Sequence, residues 1–192
     1  MARPKANTNE RTALERIEDT FWQLLSEKNY EKITISELSK KAKVNHNLIY
    51  YYFDNIDDMA IQFFEKNMSQ DVSQRIIGIL MGTEAEDITV FNDIEIIKRV
   101  KRTRLFMRKD SAFLNGIAKS RIQAEWFKAV GIKKEQLSVE DSVDLEFIFS
   151  GIIAIVGSDE FEENIDAIAT LHQRCLGQGI LGTFKNFCYK ER

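Results

Sequence analysis

The sequence predicts an all-α fold, and three observations carry that expectation. Apolar residues recur at three- and four-residue spacing in segment after segment. No run alternates with period two between turn residues, as a half-buried strand would. The 192 residues include one proline and nine glycines against 44% hydrophobic residues, a balance suited to helices and large enough for a real core.

From Arg11 to Lys28, Leu14, Ile17, Phe21, Leu24 and Leu25 mark one buried helix face, which Asn29 ends. Thr34 and Glu37 have the spacing of a capping box, so a short second helix starts at about Ile35, buries Ile35, Leu38 and Ala42, and turns Ser36, Lys40 and Lys41 outward. Asn45 is a good cap for a third helix running to about Phe53. The three residues Lys43 to Asn45 leave room only for a tight turn between these two helices.

Asn55 caps the next helix, with Asp57 and Asp58 in the first turn where the helix dipole favours anions. Its apolar positions, Ile56, Ala60, Phe63, Phe64, Val72, Ile76 and Leu80, carry it to the break at "MGTEAED". Helical spacing resumes over residues 88–109 and again over about 111–130, 139–157 and 161–187. There is neither an internal repeat nor a low-complexity segment.

Charge and composition exclude several classes. The net charge is −3, so a nucleic-acid partner has to be argued from local charge; the first 53 residues hold nine Lys or Arg against seven Asp or Glu. Cys175 and Cys188 have no second pair and no histidine at metal spacing, so neither a metal site nor a disulfide framework is expected, and a reducing cytoplasm fits. The start "MARPKANTNER" lacks the apolar core of an export signal, and "FIFSGIIAIVG" is far shorter than a membrane span of roughly 20 residues. A small enzyme is the main rival, yet no glycine-rich phosphate loop and no nucleophile–histidine arrangement is present, and no catalytic residue is assigned. A helical protein-interaction module is a third reading; it gives the polar face of the third helix no purpose.

The informative unit is residues 34–53, a helix, a short turn and a helix. On a helix starting at Asn45, Ile49 and Phe53 lie four apart on one face and, with Val44, point to the first two helices. His46, Asn47, Tyr50 and Tyr51 then fall on other faces. Short Asn and His side chains offer donors and acceptors to base edges, and a tyrosine hydroxyl can donate to a phosphate. Lys40, Lys41 and Lys43 sit where a phosphate strand would pass a helix seated in the major groove. This is the geometry of a helix-turn-helix DNA reader.

These residues resemble the TetR-type transcriptional regulators. The stretch "TISELSKKAKVNHNLIYYYFDNIDDM" carries that family's anchors at Thr34, Leu38, Ala42, Val44, Ile49, Tyr50, Tyr52, Phe53 and Met59, and the clear resemblance runs from about Thr8 to Met68. It implies a three-helix DNA-binding domain over residues 8–68 and a helical effector-binding and dimerisation domain over residues 69–192. It places Asn45, His46, Asn47 and Leu48 near the bases and Tyr50 and Tyr52 on the backbone; Thr34, Ser36, Lys43 and Tyr51 complete the expected DNA-binding set. Three departures matter. The family's turn glycine is Lys43, which must take a left-handed conformation or distort the turn. The lysine that opens the family's fourth helix is Ile56, which removes a phosphate contact. Leu48 replaces a small residue and suits a thymine methyl.

For the C-terminal part the resemblance implies a small-molecule effector of unknown identity, with no other cofactor, and a homodimer built from the last two helices. Arg102, Phe106, Phe113, Trp126 and Phe127 are candidate pocket residues, although Met and aromatic side chains at helical spacing are more often core. The run "KRVKRTRLFMRK", residues 98–109, has seven cations in twelve residues. It reads as a solvated face with packed stems, an anion-binding site, or an added contact to DNA phosphates. Residues 147–157 are apolar nearly all round, so Phe147, Gly151 and Ile155 are expected at the dimer face with Ile168, His172 and Gly179 of the last segment. Gly177, Gly179 and Gly182 mean close packing or a kink there, and His172 reads as a partnered core or interface histidine.

Overall fold

The computed structural model describes residues 12–68 and 94–161. They form seven α-helices and three short 3-10 turns, with no strand among the described residues. The helices are α1 (Ala13–Glu27), α2 (Ile35–Ala42), α3 (His46–Tyr52), α4 (Ile56–Asn67), α5 (Ile94–Met107), α6 (Ala112–Val130) and α7 (Val139–Val156). The chain divides into two compact units between Phe63 and Phe64. The expected continuation of α4 through Val72, Ile76 and Leu80, and the segment with Ile168, His172, Gly177, Gly179, Gly182 and both cysteines, lie outside the described residues.

In the first unit α1 starts with a complete capping box: Thr12 Oγ1 accepts from the Glu15 amide and the Glu15 carboxylate accepts from the Thr12 amide. Ile17, Phe21, Leu24 and Leu25 are buried as their spacing requires, and Trp22 joins them. The Phe21 ring packs against Trp22 and Phe63, and Phe53 meets Phe63 edge-on with centroids 5.2 Å apart. Tyr30, in the 3-10 turn Tyr30–Lys32, is buried and donates its hydroxyl to Asp57 Oδ1 at the start of α4. Burial, then this carboxylate, pushes the Tyr30 phenol well above its ordinary range.

In the second unit Phe64 stacks on Phe106 of α5, with centroids 4.3 Å apart. Asn67 Nδ2 donates to the Arg99 carbonyl (2.9 Å) and to Thr103 Oγ1 (3.0 Å), tying the end of α4 to α5. Helix α6 is capped by Ser111 and buries Leu114, Ala118, Ile122 and Trp126, a stripe at four-residue spacing. It ends at Gly131 in the left-handed region, φ 70°. Helix α7 opens on a capping box of Ser138 and Asp141 and buries Leu145, Phe149, Ile152 and Ile153, with Phe149 edge-on to Trp126. Past its end, Gly157 lies so close to α5 that a Cβ would sit 1.8 Å from the Met107 carbonyl oxygen.

Candidate nucleic-acid interface

Two caps and one turn set the positions of α2 and α3. Thr34 Oγ1 accepts from the Glu37 amide as its spacing predicts. The reciprocal half of that capping box is not what Glu37 does: its carboxylate pairs with Lys28, which ties α2 to the end of α1. Ile35 is half-buried rather than fully buried, while Leu38 and Ala42 are in the core. Arg16 adds a lock that periodicity does not reveal, donating Nε to the Ala42 carbonyl (3.3 Å) at the last turn of α2.

The turn takes the first option open to its lysine. Lys43 is left-handed, φ 54° and ψ 49°. The Val44 amide then reaches the Ser39 carbonyl (3.0 Å) and the Lys43 amide the Lys40 carbonyl (3.3 Å), a Schellman arrangement. Asn45 caps α3, its side chain accepting from the Asn47 amide at 2.8 Å.

The seven residues of α3 divide cleanly by face. Ile49 is fully buried and Phe53, just past the helix, is buried with it. Asn45, His46 and Asn47 are exposed and Leu48 is half-buried. The three tyrosines differ: Tyr51 is 80% exposed, Tyr50 53% and Tyr52 39%. An apolar core function would hide these rings; instead they stand in solvent beside polar neighbours. His46 lies against Tyr50, ring centroids 5.3 Å apart, and its Nδ1 is 3.5 Å from Ser39 Oγ, a side chain buried in α2. Tyr51 and Tyr52 meet edge-on at 5.2 Å. The result is one continuous surface of donors, acceptors and aromatic edges, held rigidly from behind by Ile49 and Phe53.

Thr34 and Ser36 are exposed at the start of α2. Of the three lysines expected beside a phosphate strand, Lys41 is engaged: its Nζ lies 2.9 Å from Glu27 Oε2, and this bond holds the Glu27 carboxyl below the usual range. Lys40 and Lys43 are exposed. Ile56 opens α4 half-buried, without a charge.

The candidate pocket residues of the second unit have varied surroundings. Phe106 and Trp126 are core side chains, Arg102 and Phe127 are half-buried, and Phe113 is exposed. Three cations of the basic run 98–109 bond within the second unit, while Lys98, Lys101 and Lys109 are exposed. Arg99 donates to the Lys66 and Asn67 carbonyls, Arg104 to the Val156 and Ser158 carbonyls (2.9 and 3.0 Å), and Arg108 pairs with Asp110. Arg104 also lies over the Phe161 ring. On α7, Phe147 is 81% exposed, and Gly151 and Ile155 are half-buried. Among the described residues no cluster of His, Cys, Asp or Glu has the makings of a metal site, and no helix is long and apolar enough to cross a membrane.

Comparison with known proteins agrees with this geometry. Residues 19–63, which run from within α1 into α4, match the family model of bacterial regulatory proteins, tetR family. Neither the curated proteins nor the solved structures gave a match to the chain. With α2, the turn and α3 inside the matched span, residues 19–63 form a DNA-binding domain of the tetR type, and the chain is a DNA-binding transcription regulator.

Proposed function

We propose that the chain is a ligand-responsive repressor that binds a palindromic operator as a homodimer in the cytoplasm. The observation that carries this reading is the outward row His46, Asn47, Tyr50 and Tyr51 on a helix whose other face is fixed by Ile49. In the major groove, Asn45, His46 and Asn47 meet base edges, Leu48 a thymine methyl, and the Tyr50 and Tyr52 hydroxyls the phosphates. Thr34 and Ser36 flank the backbone from the start of α2.

A dimer gives this reader its palindromic target, with two α3 helices about 34–36 Å apart in successive major grooves. Val139, Val143 and Phe147, all exposed, form a row at four-residue spacing on α7 that leads to Gly151, and this supports α7 as part of the dimer face. The second unit receives the effector. Arg102, Phe113 and Phe127 keep solvent-facing surface there, whereas Phe106 and Trp126 are reached only by opening the core. A ligand that favours one conformation of this unit by a few kcal/mol is enough to change the spacing of the two readers and release the operator.

A gel shift with the DNA upstream of the chain's own gene tests the reading. A shift at low salt that a specific competitor abolishes supports it. No shift at low salt, together with turnover of any substrate, overturns it in favour of an enzyme.

A further inference from the structure

Lys43 is the single non-glycine residue with positive φ among the described residues. In that region the Cβ of any L-residue is crowded by the neighbouring carbonyl, a penalty glycine escapes. The chain uses glycine where only geometry is at stake: α6 ends at Gly131, φ 70°, in the same left-handed region. At the turn that leads into α3 it places an exposed lysine instead.

The neighbouring lysines show what sets this one apart. Lys28 is paired with Glu37 and Lys41 with Glu27. Lys40 is exposed but lies in ordinary helical geometry. The ammonium of Lys43 makes no hydrogen bond or ion pair among the described residues. It stands two residues before the cap of α3, on the stretch of a helix-turn-helix that passes the phosphate strand bordering the groove. A strained, solvated cation at a binding surface points from strain to function.

We infer that Lys43 is a DNA-backbone contact held against the conformational preference of its own position. The turn gives up stability in the free protein and gains an ion pair with a phosphate once α3 is seated. This rests on the DNA-binding role of α3 and adds to the phosphate contact expected of Lys43 that the turn gives up stability to make it. Phosphate contacts carry no base information, so Lys43 contributes affinity evenly across sequences and appears in the salt dependence of binding.

The test uses the full chain, a mixed-sequence DNA duplex at several salt concentrations, and urea unfolding of the free protein. Lys43→Gly is expected to unfold at higher urea than the parent, yet to bind several-fold more weakly at low salt. Its log–log salt slope is expected to be shallower by about 0.9 for each Lys43 on the DNA. Lys43→Arg is expected to keep both the parent's slope and its stability. The inference is overturned if Lys43→Gly keeps the parent's salt slope, or if it loses slope without gaining stability. A parent that binds no duplex even at low salt refutes the DNA role of α3 itself, and this inference with it.

Discussion

Ile49 is a single side chain on which the whole reading surface depends. It is fully buried between α3 and the helices behind it, so Ile49→Ala removes about 2–5 kcal/mol, a large share of what stabilises a small unit. Denaturant unfolding followed on the first unit is expected to show that loss. Tyr50→Phe leaves the buried face and the ring contact with His46 intact and removes only an exposed hydroxyl. Stability should stay within about 0.5 kcal/mol of the parent while operator binding weakens by about 1–2 kcal/mol. Equal operator binding by Tyr50→Phe would mean that this face is misplaced. Tyr30 gives a pH signature. Its folded-state pKa lies above the ordinary 10.0, so its contribution is complete below about pH 10 and is lost progressively as the pH rises toward the folded value. Tyr30→Phe is expected to lower stability at neutral pH by about 1–2 kcal/mol, through the lost bond to Asp57, and to flatten the alkaline fall seen in the parent.

At the scale of elements, the junction of α5 and α7 accounts for one cation of the basic run, Arg104. The last carbonyls of a helix have no partner inside it, and Arg104 supplies one by donating to Val156 and Ser158. Arg104→Ala is expected to destabilise the second unit by about 1–3 kcal/mol in thermal or denaturant unfolding and to leave the salt slope of DNA binding unchanged. A shallower slope would return Arg104 to the DNA surface. Gly157→Ala attacks the same junction by sterics, since its Cβ would overlap the Met107 carbonyl.

The periods of α1, α2, α3, α6 and α7 and the caps Thr34 and Asn45 were legible in the sequence because each is set by residues a few positions apart; the caps Thr12, Ser111 and Ser138 came only with the structure. The roles of Arg104 and Gly157 were not, because their partners lie about 50 residues away in the chain and spacing carries no sign of them. For the same reason Glu37 read as a capping-box partner of Thr34, whereas the structure gives it to Lys28. At the turn between α2 and α3, the missing glycine left two options, a left-handed Lys43 or a distorted turn, and the structure takes the first. The neutralisation of Lys41 needed the position of Glu27.

For the whole molecule, the proposed dimer makes palindromic recognition depend on a face far in sequence from the reader. Phe147 is the most exposed apolar side chain on α7, and Phe147→Asp puts a charge where a partner subunit is proposed to pack. The variant is expected to elute as a monomer, to stay folded because the residue contributes little to its own core, and to bind a full operator at least tenfold more weakly than the parent. A dimeric Phe147→Asp would move the interface elsewhere. Whether the outer face of α3 reads sequence is decided by selecting DNA from random duplexes with the parent and with Asn47→Ala. The parent is expected to enrich one inverted repeat, and Asn47→Ala to lose preference at one base pair of each half-site while still binding duplex at low salt. Enrichment of the same sequence with the same preference by both proteins would contradict this expectation.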